Sequence, residues 1–273
     1  MKQIWGVCTL DEEFVKREDA LKNYNVSDYK TPDGYTSDIA IFTISPKDDQ
    51  SQEQVLKLLL IKRAMKNAEG EPNIEGGKWA LPGGFIDAHN KETAMMAAER
   101  ELKEETGIDG IFLKHFGVYD EIDRDPRGWI ISNAHYAVVN EKHLIYRKAS
   151  DDAQEVELFS IDDVFSLPLA FDHERIIKDA YEMIKEDMIQ TTVAKEFLPE
   201  EFTLSELWHV IVSVASHDAI ETNANFHRKA RNLKFIEEAL DENGKVKTAK
   251  RFSKKPTKLY RFNDVQVLKS IYR

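Results

Sequence analysis

Ala80-Leu-Pro-Gly-Gly-Phe85-Ile-Asp-Ala-His-Asn90-Lys-Glu-Thr-Ala-Met95-Met-Ala-Ala-Glu-Arg100-Glu-Leu-Lys-Glu-Glu105-Thr-Gly-Ile108 is the stretch from which the fold of this chain is read. Positions i, i+3 and i+4 of a helix are neighbours, so Glu101, Glu104 and Glu105 converge within one turn. Like charges so placed repel by about 0.2–0.5 kcal/mol per pair in an isolated helix, and the cluster needs a cation or a basic side chain. Arg100, four residues before Glu104, can pin that carboxylate and leave Glu101 and Glu105 to project toward a metal. Met95, Ala98 and Leu102 form the stripe expected to seat the helix, with Ala94 and Ala97 keeping the acidic face clear. Asn90 or Thr93 is the expected N-cap and Gly107 the left-handed stop.

An all-oxygen donor set without Cys or His suits Mg2+ or Mn2+, and Mg2+ usually bridges to substrate phosphates. A solvated acidic helix face is the ordinary meaning of Arg-Glu-Leu-Lys-Glu-Glu in isolation, but the flanks change it. Leu81-Pro-Gly-Gly84 predicts a tight strand-to-helix turn whose carbonyls can approach the same cation. The run Gly84, Glu92, Arg100-Glu101-Leu102-Lys103-Glu104-Glu105-Thr106-Gly107-Ile108 resembles the Nudix box, the signature of hydrolases acting on nucleoside diphosphates linked to another moiety. The family has five residues between its first Gly and first Glu. This chain has seven, Phe85 through Lys91, which lengthens the entry loop and leaves the helix register intact.

The rest of the chain has room for a second module. It holds 273 residues, 42% of them hydrophobic, at a net charge of −11. Cys8 is its one cysteine, which excludes an internal disulfide framework and suits a reducing cytoplasm. No apolar run reaches membrane-spanning length, so a cytoplasmic protein without membrane contact is expected. Despite the acidic total, Lys and Arg outnumber Asp and Glu in residues 201–273, a weak hint of nucleic acid.

Thr36–Ile44, Val55–Arg63, Ile111–Tyr119, Ile130–Val139 and Gln154–Ile161 read as strands, residues 91–106 and Asp172–Ile189 as helices. Strands interleaved with helices give an α/β/α sandwich, and the resemblance to the Nudix box implies the Nudix fold with a mixed sheet. Thr191–Glu201 reads as a connector. Thr203-Leu-Ser-Glu206 is a capping box opening a helix, Asn223–Leu233 is a second helix with Asn223 as cap, and Phe235–Leu240 and Lys258–Phe262 flank an Asn243-Gly244 turn. That order is a winged helix-turn-helix. The expected domains are therefore 1–190, a linker 191–202, and 203–273.

Between Lys247 and Arg261 the sequence carries seven basic residues and no acid, a pattern suited to gripping DNA phosphates or to a solubilising hairpin. Arg228, Arg231, Lys254 and Lys255 are the expected DNA contacts; His227 shares the face of Arg231. Arg124-Asp-Pro-Arg127-Gly-Trp129 and Leu169-Ala-Phe-Asp-His173 resemble segments of ADP-ribose pyrophosphatase-like Nudix proteins. The C-terminal module resembles that of Nudix-related transcriptional regulators. These resemblances imply a nucleoside diphosphate-linked ligand and a metal on Glu101, Glu104, Glu105 and Gly84. Arg124 and Arg127 can neutralise a diphosphate or hold a terminal ribose, or simply pair with surface Asp, and Trp79 can stack on a base unless it fills core. Glu104, Glu105 and Arg100 would serve catalysis. Mg2+-dependent hydrolysis of ADP-ribose to AMP and ribose 5-phosphate is expected. The alternative is ligand sensing by a homodimeric regulator bound to operator DNA. The general base stays open among Glu104, Asp120, Glu121, Asp123, Asp151 and Asp152.

Overall fold

The computed structural model describes residues 21, 22, 24–48, 50, 51, 53–67, 69–107, 110–144, 153–230, 232–251 and 255–263. Residues 1–32 form one unit and 33–273 another. In the first, a 3-10 turn spans Val26–Asp28, with Tyr24 stacked on Tyr29 at 5.6 Å.

The second unit is built on a seven-stranded mixed sheet. Its long strand β1 (Gly34–Pro46) lies parallel to β6 (Ile130–Val138) and antiparallel to β2 (Gln54–Arg63) and β4 (Gly83–Phe85). Strands β3 (Trp79–Ala80) and β7 (Ala153–Ser160) pair with β2, and β5 (Phe112–Tyr119) pairs with β6. Alternation along β1 separates two cores. Ile39 and Ile41 face helix α1 (Ala94–Thr106) through Ala98 and Leu102. Ala40 and Phe42 face helix α3 (His173–Gln190) through Ile176, Ile177, Ala180 and Ile184. The Ile, Leu and Phe side chains among these each stabilise the fold by about 1.5–3 kcal/mol on burial. The short helix α2 (Ile161–Val164) was not legible in the sequence.

Thr93 caps α1 by accepting the Met96 N–H at 3.3 Å, and Gly107 closes it at φ 74°. Asn90 instead ends a 3-10 turn, Ala88–Asn90, which absorbs the lengthened loop with Lys91 at φ 58°. The buried stripe differs from the expected one. Ala97, Ala98 and Leu102 are buried while Met95 is exposed, which turns Glu101 toward the sheet.

Beyond α3 the chain does not run free. A 3-10 helix, Val193–Phe197, buries Val193, Ala194 and Phe197 in the connector, within the same core as Phe202, Leu204, Leu207 and Phe226. Helix α4 (Leu204–Val212) opens with a complete capping box between Thr203 and Glu206. Helix α5 (Asn223–Ala230) is capped by Thr222, whose hydroxyl accepts the Asn225 N–H at 3.2 Å; Asn223 is already helical. Strand β8 (Ile236–Glu238) pairs with β11 (Tyr260–Phe262), and β9 (Thr248–Ala249) with β10 (Thr257–Lys258); the Asn243-Gly244 turn joins β8 to β9, so the expected two-strand hairpin gains an inner strand. No helix among the described residues is long and apolar enough to cross a membrane.

Candidate ligand site and DNA-binding module

The antiparallel pairing of β4 with β1 places Asp38 opposite Gly83 and Ser37 opposite Gly84. Backbone contact requires glycine at 83, and glycine at 84 lets the Glu101 carboxylate come close. A Cβ on Gly83 would collide with the Ser37 carbonyl and Asp38, and one on Gly84 with the Glu101 carboxylate. Glu101 is thus packed against the glycine turn, and burial pushes its pKa above the ordinary carboxylate value despite the Arg100 guanidinium beside it.

Arg100 holds the cluster together. It donates to Glu92 at 2.8 Å, to Glu101 at 2.6 Å and to the Phe85 carbonyl at 3.3 Å, and reaches Glu104 at 3.5 Å. Glu92 also accepts the Asp87 N–H at 2.8 Å, tying the entry loop to the helix. Glu105 belongs to α1, but its side chain lies outside the described structure. Among the described residues no group of three acidic, His or Cys side chains is gathered for a metal. Glu101 and Glu104 carry hard oxygen donors of the kind that could hold Mg2+ or Mn2+.

A cavity of about 870 Å3 opens beside this cluster, lined by Asp38, Arg63, Gly84, Phe85, Glu101, Glu104, Arg124, Arg127 and Phe171 among others. Both expected arginines are there, and both are already engaged. Arg124 donates to Asp172 at 2.9 and 2.6 Å and to the Ile130 carbonyl at 3.3 Å, and stands 3.8 Å from Asp38. Burial opposes its charge, yet the facing carboxylates raise its pKa above the ordinary value. Arg127 grips Asp125 through Nε at 2.9 Å and Nη2 at 2.6 Å. Asp125 is nearly buried; Arg127 outweighs that desolvation and lowers its pKa.

Trp79 sits elsewhere. It is buried, edge-on to Phe159 at 4.7 Å, with its backbone bonded to Pro168 and Ala170, so it fills core rather than lining the cavity. The aromatic groups in the cavity are Phe85 and Phe171, which the sequence reading missed. Phe171 lay within the quoted Leu169–His173 segment, but nothing local announced where its ring would go. Asp38 and Arg63 were missed for the same reason.

Of the acids considered as general base, Glu121 pairs with Arg175. Asp151 and Asp152 lie outside the described residues. His173 is fully buried and accepts the Leu81 N–H at 2.9 Å through Nδ1, and burial lowers its pKa. His135 bonds Ser37 at 3.1 Å beside His115, with a pKa lowered to about 4 by burial. Both are structural.

In the C-terminal module, Arg228 and Lys255 are exposed. Arg231 and Lys254 lie outside the described residues. His227 is turned back onto α4, bonding Ser205 at 3.2 Å. The basic hairpin is less bare than its sequence. Lys247 pairs with Glu201 at 2.6 Å, Arg251 with Glu206 at 3.0 Å, Lys258 with Glu238 at 2.5 Å and Arg261 with Glu237 at 2.6 Å. All four acids come from outside the Lys247–Arg261 segment, so its sequence overstated the unpaired positive charge. Exposed pairs of this kind contribute little to stability.

The NUDIX domain family matches residues 36–180, and the NrtR DNA-binding winged helix domain family matches residues 194–262. The ADPR responsive transcriptional repressor NtrR of Acinetobacter baylyi is 31% identical over 254 residues, 93% of this chain and 91% of that protein. The ADP-ribose pyrophosphatase of Methanocaldococcus jannaschii is 48% identical over 124 residues, 45% of this chain and 64% of that protein. Among solved structures, Shewanella oneidensis NrtR complexed with a 27mer DNA superposes with a TM-score of 0.64 at 27% identity, covering 84% of this chain and 93% of that one.

Proposed function

Because the chain belongs to the Nudix family and carries an NrtR-type DNA-binding winged helix, we propose that it is a ligand-responsive transcriptional regulator. In this reading the Nudix module, residues 1–190, takes a nucleoside diphosphate-linked ligand of the ADP-ribose type. Residues 203–273 hold operator DNA, and 191–202 join the two. A homodimer would present two such modules to half-sites about 34–36 Å apart.

The observation that carries this reading is the shared core. Helix α3 starts at the ligand cavity with His173 and ends in a connector whose Val193, Ala194 and Phe197 pack with Leu204 and Leu207 of the winged helix. Continuous packing of this kind, in place of a loose tether, is what a coupling between cavity and winged helix would need. The similarity to NtrR along nearly the whole chain supports the same conclusion.

Fluorescence anisotropy on DNA from upstream of the protein's own gene tests it. Binding should be salt-sensitive and weakened about 5–150-fold by saturating ADP-ribose, the usual range for coupled sites. No binding at low salt, or binding indifferent to ligand, would overturn the reading.

Hydrolysis is a second reading, favoured by the seating of Glu101 against Gly84 under Arg100. Glu101, Glu104, Glu105 and a Gly83 or Gly84 carbonyl would hold Mg2+, which when bound polarises a diphosphate and acidifies a water. Arg100 would keep Glu101 oriented, and Arg124 would add positive charge to the cavity wall. AMP released from ADP-ribose by the pure protein, lost in Glu105→Gln, is the expected result; no turnover would leave sensing alone.

A further inference from the structure

Phe85 is a large aromatic ring left 47% exposed in the wall of a charged cavity, immediately after the glycines that meet Glu101. Its position is built rather than incidental. Gly34 makes room for it, since a Cβ there would strike the ring. The Arg127 guanidinium stands 5.0 Å from the Phe85 ring and 5.3 Å from that of Phe171, and Arg63 stands 5.1 Å from Phe171. Phe171 is held at φ 50°, a left-handed conformation that costs a non-glycine residue about 1–3 kcal/mol and clusters at functional sites. Arg63, Phe171, Arg127 and Phe85 thus form an alternating cation and aromatic ladder, of which Phe85 is the terminal rung.

The chemistry of Arg127 separates two roles. Phosphate recognition uses the N–H edge of a guanidinium, whereas stacking uses its face. The Nε and Nη2 edge is occupied by Asp125. What Arg127 offers Phe85 is a fixed, flat support.

We infer that Phe85 is the platform on which the nucleobase of the diphosphate ligand stacks, with Arg127, locked by Asp125, as the positioning residue behind it. The inference rests on the nucleotide-sensing reading above and adds the part of the ligand that this wall recognises. A base stacked on Phe85 leaves the diphosphate next to Gly84 and Glu101. The ladder selects a planar ring system.

The test compares two ligands on the full chain by calorimetry: α,β-methylene ADP-ribose, which resists hydrolysis, and methylenediphosphonate, which has the same bridge and no base. Phe85→Leu should weaken the nucleotide about tenfold, within the 1–3 kcal/mol found for base stacking, and leave methylenediphosphonate unchanged. Phe85→Trp should retain affinity, and Arg127→Lys should show the Phe85→Leu pattern to a smaller degree. Read at saturating protein, the fully bound 1,N6-etheno analogue should be quenched by the wild type and less so by Arg127→Lys, whereas a partly folded variant would reach the wild-type quench once saturated. Phe85→Leu binding the nucleotide like wild type, or weakening both ligands equally, would overturn the inference while leaving the sensing reading intact. A wild-type chain that binds DNA but no nucleotide would sink both.

Discussion

Arg124 holds Asp172 with two hydrogen bonds, 2.9 and 2.6 Å long, across 48 positions of sequence. The pair ties the loop before β6 to the N-cap of α3. Asp172 makes no side-chain capping bond to its own helix, and both its oxygens go to Arg124. Since the Arg124 side chain is 4% exposed, removing its charge leaves Asp38 and Asp172 facing one another with no cation between them.

Arg124→Ala should therefore destabilise the protein by roughly 3–5 kcal/mol, the usual cost of breaking a buried pair from one side. Urea denaturation followed by circular dichroism measures it. A loss below 1 kcal/mol would mean that water reaches the pair.

Glu101 should be a destabilising residue kept for its chemistry. Its pKa is raised by burial, so the unfolded chain ionises first: the stability it contributes is present below about 4.5 and is lost as pH rises through its folded value. Without metal, Glu101→Gln should unfold at a higher temperature than wild type at pH 7 and show no such advantage at pH 4. Calorimetric melting at both pH values checks the crossover.

His135 works in the opposite sense. With a folded pKa of about 4 against an ordinary 6.5, it binds its proton more weakly when folded, so acid favours the unfolded chain. The stability attributable to it should fall as pH drops from 6.5 toward 4, and His135→Asn should flatten that part of the profile. Equal slopes for wild type and variant would remove His135 as the cause.

The paired hairpin predicts a gain from removing an acid. Glu201→Gln releases Lys247, and nonspecific DNA affinity at low salt should rise, with the salt slope steeper by about one counterion. Arg228→Ala, on the exposed face of α5, should do the reverse. Filter binding at several salt concentrations separates the two.

Thr203→Ala should cost about 1 kcal/mol, because the capping box that starts α4 loses its hydroxyl acceptor for Glu206 N–H, 3.2 Å away. A melting temperature unchanged by the substitution would show that packing of Leu204 and Leu207 alone starts the helix.

The sequence by itself determined what is periodic and local. Spacings of three and four put Glu101, Glu104 and Arg100 on one turn, Gly107 closed that helix, and local patterning revealed five of the seven strands of the sheet, missing the short β3 and β4; each depends only on backbone geometry within a few residues. Tertiary structure decided which side chains meet across the chain. Trp79 and Phe85 flank the same glycine turn, yet only Phe85 reaches the cavity, because β3 and β4 pair with different strands, β2 and β1. Phe171 joins Arg127 and Asp38 joins Gly83 through strand register and the start of α3. The basic hairpin is balanced by Glu201, Glu206, Glu237 and Glu238, acids outside the stretch that looked bare. These partnerships arise from packing between distant elements, and no short window of residues encodes them.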